Sequence, residues 1–216
     1  PDKEAYDRFL SLEMIWPDNA LLRAYVLSPR LGQISANLLE VSAVRLYHDN
    51  VLAKQSGCGR TPWHFDDHHF PLDTNDVVTA WAPAQPIPLE MGPLSFAYPL
   101  DVHKLIKDVT FEKTGTGYDR EVSNIFSKNN VSVNATPFEL GEVSFHHNLN
   151  FHTASSNRTN CSRIALANTY YRDGARVINS PTMVSGDWQK FMPNVKPGDI
   201  AASPLNPICW PVKSEI

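Results

Sequence analysis

Hydrophobic and polar positions divide the chain into a helical beginning and a long strand-rich remainder. Residues 2–15 mix charges with Tyr6, Phe9, Leu10 and Met14, which predicts a short amphipathic helix. Trp16-Pro17-Asp18-Asn19 reads as a turn whose Asp18 or Asn19 caps a helix over 20–27. Ser28-Pro29 opens another helix, with Leu31, Ile34, Leu38 and Leu39 at helical spacing. From Val41 the texture changes to strands. Runs at Val41–Tyr47, Val51–Gln55, Trp63–Asp66, Val77–Ala82, Leu94–Tyr98, Val143–His147 and Arg163–Tyr171 are separated by Gly, Pro and Asn signals. Residues 101–130 are charged and mixed, and read as a helix with a lid around the Thr114–Gly117 loop. The tail after Pro181 is proline-rich and irregular. No repeat or linker splits the chain, so it reads as a single domain. Helical support covers about residues 1–40, a barrel or sandwich about 41–180, and the tail 181–216.

Composition narrows the class. The 216 residues are 42% hydrophobic and 19% charged, enough to bury a substantial core, and no apolar run is long enough to cross a bilayer. The net charge of −4 argues against a broad basic face for nucleic acid. Three scattered cysteines, Cys58, Cys161 and Cys209, are too few for a disulfide framework or a zinc site and fit a reducing compartment. The chain begins at Pro1 without an initiator Met, so the native N-terminus is expected upstream. The N-x-Ser/Thr triplets at Asn130, Asn134, Asn157 and Asn160 matter only in a secreted protein. The expectation is a cytoplasmic protein without membrane or nucleic-acid partners.

Candidate chemistry centres on Trp63-His64-Phe65-Asp66. Residues two apart on a strand share a face, so His64 and Asp66 project together. An imidazole and a carboxylate are two thirds of a 2-His-1-carboxylate triad, which leaves iron positions open for substrate and oxygen. Downstream, Gly141-Glu142, Phe145-His146-His147, His152-Thr153-Ala154, Asn157-Arg158-Thr159 and Arg163 follow in order. His152 and Arg163 are eleven residues apart, and so are His147 and Arg158. Arg158 sits in a loop composition that should face solvent, which favours the His152/Arg163 pair.

These segments together resemble the phytanoyl-CoA dioxygenase family of Fe(II)/2-oxoglutarate oxygenases. The resemblance spans roughly residues 15–178 and includes Leu46-Tyr47-His48-Asp49, Lys54, Trp81, Glu90–Leu94 and Tyr171–Gly174. Thr153-Ala154 departs from the Gly-Ser of many members, and both replacements are small. The resemblance implies a mainly β double-stranded β-helix, a cupin-like jelly roll with N-terminal helices packed outside. It also implies His64, Asp66 and His152 as ligands of Fe(II), with dioxygen as co-substrate. Arg163 is implied as anchor of the far carboxylate of 2-oxoglutarate, with Lys54, Trp81 and Thr79 beside it. Arginine's planar fork suits that carboxylate, and Ala165 and Ala167 on the same strand face would leave room. Halogenating relatives lose the carboxylate ligand, so Asp66 implies oxygenation.

Blander readings compete at single positions. Trp81 also suits the barrel core, Lys54 alone reads as a solvated lysine, and Asn157 suits a loop cap. His146 reads as a neighbour of the metal or co-substrate, His147 as an opposite-face strand histidine, and His68 and His69 as loop residues. Cys161 reads as a small buried filler. The expected reaction is hydroxylation of a C–H bond in a small molecule, with release of succinate and CO2. The alternatives are a 2-oxoglutarate-independent metal dioxygenase on the same barrel and a catalytically silent binding barrel. Phe65, Asp67, Phe151, His103 and Trp188 are candidates for the substrate lining, whereas the substrate itself and the oligomeric state are not legible.

Overall fold

Two antiparallel sheets face each other across the cavity that carries the chemistry. The computed structural model describes residues 8–112, 116–181 and 187–212. The larger sheet contains β1 (Phe9–Glu13), β2 (Val44–Lys54), β9 (Arg163–Arg172), β4 (Val77–Pro83) and β7 (Ser144–His147) in that order. The smaller runs β3 (Thr61–His64), β8 (His152–Ala154), β5 (Leu94–Tyr98) and β6 (Ser132–Ala135). A last strand, β10 (Ile208–Trp210), pairs with the start of β2, while β1 pairs with its end. The two together cover the edge of β2, which would otherwise leave backbone donors and acceptors unpaired. This is the double-stranded β-helix expected from the sequence.

Helices α1 (Ala20–Val26) and α2 (Pro29–Leu38) pack on the outer face of the larger sheet. Asn19 caps α1, its side chain accepting from Leu22 N at 3.0 Å, and Pro29 stands in the first turn of α2. The buried stripe of α2 is Leu31, Gly32, Ser35 and Ala36; Leu38 is exposed. Gly32 lets the helix approach β10 closely, because a Cβ there would lie 2.5 Å from the Cys209 carbonyl oxygen. Val44, Leu46, Val78, Ala80 and Tyr170 supply the sheet side of this core. Helices α3 (His103–Ile106) and α4 (Gly117–Lys128) cover the smaller sheet, with Tyr118, Val122 and Phe126 packing beside Phe151, Ala97 and Trp63. The helix expected in 101–130 is therefore two, and of the expected Thr114–Gly117 loop Thr114 and Gly115 lie outside the described residues while Gly117 begins α4.

Three local expectations are corrected. In the stretch read as an N-terminal helix, residues 2–7 lie outside the described residues, and Phe9–Glu13 is strand β1, in register from Phe9↔Lys54 to Glu13↔Asn50. Its Phe9, Ser11 and Glu13 line the cavity while Leu10 and Leu12 face solvent, so tertiary pairing overrides the helical spacing. The two runs on either side of His48-Asp49-Asn50 are one continuous strand, β2. Its polar centre has work on both faces: His48 and Asn50 line the cavity, and Asp49 Oδ2 accepts from Ile15 N and Trp16 N, each at 3.2 Å. Cys161 is exposed, whereas Cys58 and Cys209 are buried, because Cys161 lies in the loop before β9 and not on a strand face.

The tail contributes to the barrel. Asn206 is fully buried, and its Nδ2 donates to the carbonyls of Leu46 and Tyr47, both at 3.2 Å. Those carbonyls flank a β-bulge, where the β2–β9 register slips between Leu46 and His48. No helix among the described residues is long and apolar enough to cross a membrane.

Candidate active site

His64 and His152 face each other in register across β3 and β8, which brings their ring centroids to 4.2 Å. Each imidazole is oriented the same way. His64 Nδ1 lies 2.8 Å from the carbonyl of Pro62, and His152 Nδ1 lies 2.9 Å from that of Asn150, so each Nδ1 donates to a carbonyl two residues back. That leaves both Nε2 atoms as free lone pairs aimed inward. Asp66 follows at the start of a 3-10 turn, Asp66–His69, held by its backbone N–H donating to Asn148 O at 2.8 Å. Asp66 Oδ1 is 3.5 Å from His64 Nε2 and 3.8 Å from His152 Nε2. The donor atoms of the three residues all lie within 4.8 Å of one another. Two imidazole nitrogens and one carboxylate oxygen, converging from one side, fit an Fe(II) ion that keeps open positions.

The electrostatics suit that role. Burial, reinforced by the neighbouring His64, pushes the His152 imidazole down to about 3, so it stays neutral. Burial alone would raise the Asp66 carboxyl, but His152, His146 and His64 around it hold it well below the usual carboxylate range. His146, the partner of Thr79 on β7, is buried, with Nε2 3.4 Å from Asp66 Oδ2. On the other face of β7, His147 accepts from Leu149 N at 3.2 Å.

Beyond the triad, Arg163 and Lys54 oppose each other in the β2–β9 register, both buried at one end of the cavity. Arg163 donates through Nη1 to Gly92 O at 3.0 Å, lies 5.5 Å from the Trp81 ring centroid, and keeps a buried Nε without a hydrogen-bond partner. Gly92 makes this possible. Its φ is +74°, and a Cβ there would stand 2.2 Å from Ser155 O. Lys54 Nζ donates to the carbonyls of Gly59, Ala154 and Ser155 at 3.1, 3.0 and 2.8 Å. Burial first, and Arg163 second, push its ammonium down to about 7. Thr79 also faces the cavity, its hydroxyl 3.0 Å from that of Thr169. Trp81 is both core and wall, packing with Phe138 and lining the cavity. Arg158 is exposed, as the loop composition predicts. Asn157 is a loop brace, its Nδ2 donating to Lys54 O and Cys161 O at 2.9 and 2.7 Å.

The substrate-lining candidates divide. Phe65 and Phe151 line the cavity. Asp67 does not: its Oδ1 accepts from Asn148 Nδ2 at 3.0 Å, which makes it a brace for the metal loop. His103 stands behind Phe65, at 6.1 Å between ring centroids, and is also off the wall. Trp188 is buried in a core cluster with Tyr47, Phe70 and Met192, because the 3-10 turn that carries it packs the indole among those side chains. Conversely, sequence reasoning missed His48, Tyr47 and Thr169 as wall residues. The polar His48 within an apolar strand pattern was the available signal for the first.

The family model described as phytanoyl-CoA dioxygenase (PhyH) matches residues 15–165. The chain belongs to the phytanoyl-CoA dioxygenase family. It is thus an enzyme of the iron- and 2-oxoglutarate-dependent type, and its triad fits the metal. Among solved structures, a similar fold occurs in SnoK, the non-heme alpha-ketoglutarate-dependent carbocyclase from nogalamycin biosynthesis. That likeness has TM-score 0.74 and 24% identity over 93% of this chain and 76% of SnoK. The epimerase SnoN of the same biosynthesis follows at TM-score 0.69 and 18% identity, over 94% of this chain and 77% of SnoN. EctD from S. alaskensis, solved with 2-oxoglutarate and 5-hydroxyectoine, gives TM-score 0.67 and 16% identity, over 89% of this chain and 67% of EctD. At these identities the likeness establishes a shared fold. Compared by sequence with curated proteins, the chain has no match.

Proposed function

We propose that this family member hydroxylates a C–H bond of a small molecule, acting as a single catalytic domain. In this reading His64, Asp66 and His152 hold Fe(II), and Arg163 anchors 2-oxoglutarate. The observation that carries it is the pairing of an inward-facing His-Asp-His set with a buried arginine whose Nε is unpartnered, both on the wall of one cavity. A cation so placed calls for an anion, since burying an unpaired charge is costly. Iron and 2-oxoglutarate, when bound, supply the oxidising power that couples dioxygen to substrate oxidation with release of succinate and CO2.

The chain's own residues position and protect. Arg163 offers a planar fork to a carboxylate. Lys54 acts mainly as a brace, because three carbonyls already take its donors. Trp81 and Thr79 shape the same end, and His146 holds the second oxygen of Asp66. Phe65 and Phe151 keep water from the reacting centre.

The test is an anaerobic titration with Fe(II) and then 2-oxoglutarate, reading the visible metal-to-ligand charge-transfer band. The band is expected in the parent and weakened in Arg163→Ala and His152→Ala. Iron binding without a band would sink the 2-oxoglutarate reading. Hydroxylation is then separated from ring closure or epimerisation by product mass, which gains one oxygen atom only in the first case.

A further inference from the structure

From the metal centre the cavity continues outward, about 760 Å³ in all. That falls within the range of about 300–1,000 Å³ that holds ligands of several rings. Its wall includes the aromatic rings of Phe65, Phe70, Phe111, Tyr118 and Phe191, brought in from four segments, since Phe65 and Phe70 flank one 3-10 turn. The ionic groups around it are largely committed. Arg60 pairs with Asp119, Glu13 with Lys190, and Lys54 with three carbonyls. Among the described lining residues that leaves Lys107, exposed at the rim, as the remaining outer cation.

Other polar side chains share this wall, with Ser11 bonded to Asn50, Glu13 to Lys190 and His68 against Phe65, and among them His48 is distinguished by its aromatic surroundings. The bulge in β2 lets both Tyr47 and His48 reach the cavity side. The His48 ring lies 4.9 Å from that of Phe191 and 6.3 Å from that of Phe70, and its Nδ1 is buried without a hydrogen-bond partner. Burial pushes this imidazole down to about 4, so near neutrality it is uncharged, and with Nδ1 buried it offers the cavity Nε2, donor or acceptor according to tautomer. An imidazole of that kind matches a hydroxyl or carbonyl, and it has no charge with which to hold a phosphate or carboxylate.

We infer that the outer half of the cavity binds a flat, uncharged aromatic substrate whose hydroxyl or carbonyl group hydrogen-bonds to His48. Aromatic walls favour a ring over a flexible alkyl chain, because stacked and edge-to-face contacts add to simple burial and a rigid ring loses less entropy. The inference rests on the proposed oxygenase function only in calling the ligand a substrate.

The test is equilibrium binding of four probes to the full chain, under anaerobic conditions, with and without Fe(II) and 2-oxoglutarate. The probes are 2-naphthol, naphthalene, 2-naphthyl phosphate and 1-decanol. 2-Naphthol should bind most tightly, with naphthalene weaker by about tenfold, as one good hydrogen bond implies. The phosphate and decanol should bind more weakly than 2-naphthol by a similar factor or more. His48→Phe should bring 2-naphthol down to the level of naphthalene and leave naphthalene unchanged. Equal binding of 2-naphthol and naphthalene by the parent would overturn the inference. So would tight binding of the phosphate or of decanol, or no binding of any probe. These parent comparisons decide the matter even if His48→Phe fails to fold. A missing charge-transfer band with this ranking intact removes the oxygenase reading alone; a normal band with the ranking lost removes this inference alone.

Discussion

His146 Nε2 stands 3.4 Å from Oδ2 of Asp66, while Oδ1 of the same carboxylate is the oxygen nearer His64 and His152. One oxygen is thus held by a buried imidazole and the other is presented to the metal position. Partners that orient a metal ligand typically contribute about 10–100-fold in metal affinity. His146→Phe keeps the ring contact with Phe96 and removes the polar contact with Asp66. Fe(II) affinity measured by anaerobic titration should fall by at least about tenfold. An unchanged affinity would make His146 a packing residue.

Lys54 is a stability residue in this geometry. Lys54→Met preserves length and apolar stem but strips three carbonyls of their donor. Unsatisfied buried groups cost about 1–3 kcal/mol each, partly relieved by the loss of a like charge beside Arg163, so a net loss of about 2 kcal/mol is expected. Urea denaturation at neutral pH reads it directly. A variant as stable as the parent would mean that charge repulsion between Lys54 and Arg163 cancels the carbonyl contacts.

Gly92→Ala should act on stability and co-substrate together. The backbone is left-handed there, and the new Cβ would meet Ser155 O at 2.2 Å. Relief requires shifting either Ser155 O, which accepts from Lys54 Nζ, or the Gly92 backbone, whose own carbonyl accepts from Arg163 Nη1. A destabilisation of about 2 kcal/mol or more is expected, with a raised KM for 2-oxoglutarate in whatever protein folds. Thermal unfolding and a co-substrate titration separate the two effects.

Acid should destabilise the metal-free protein through its buried histidines. His152 is pushed down to about 3 and His48 to about 4, against 6.5 for the free side chain. Below about pH 6.5 the unfolded chain therefore binds protons that the folded one refuses, and stability falls until the folded values are reached. The melting temperature should drop progressively from pH 7 to pH 4. His48→Phe should flatten part of that slope; an identical slope in the variant would show that His48 charges freely in the fold.

Much of the candidate site can be read from the sequence, because iron chemistry constrains residue type as well as order. His64-x-Asp66, His152 and Arg163 stand out as a set, and of the two small residues expected to leave space beside the arginine Ala167 lines the cavity while Ala165 packs in the core. The long strands β4 and β9 were equally legible, being apolar runs bounded by turn residues. What failed was local pattern under tertiary control. Strand β1 borrows its conformation from the edge of β2, and β6, with all four residues exposed, carries no burial signal.

The sequence by itself therefore determined which side chains could serve the proposed metal and carboxylate sites, since those follow from side-chain chemistry at ordered positions. Tertiary structure alone decided which other residues share their space. Trp188 was taken into the core and Asp67 into a loop brace, while a bulge carried His48 to the cavity wall. The reason is physical: a one-residue slip in strand register exchanges one face for the other, and its place is set by long-range pairings such as Asn206 with the carbonyls of Leu46 and Tyr47.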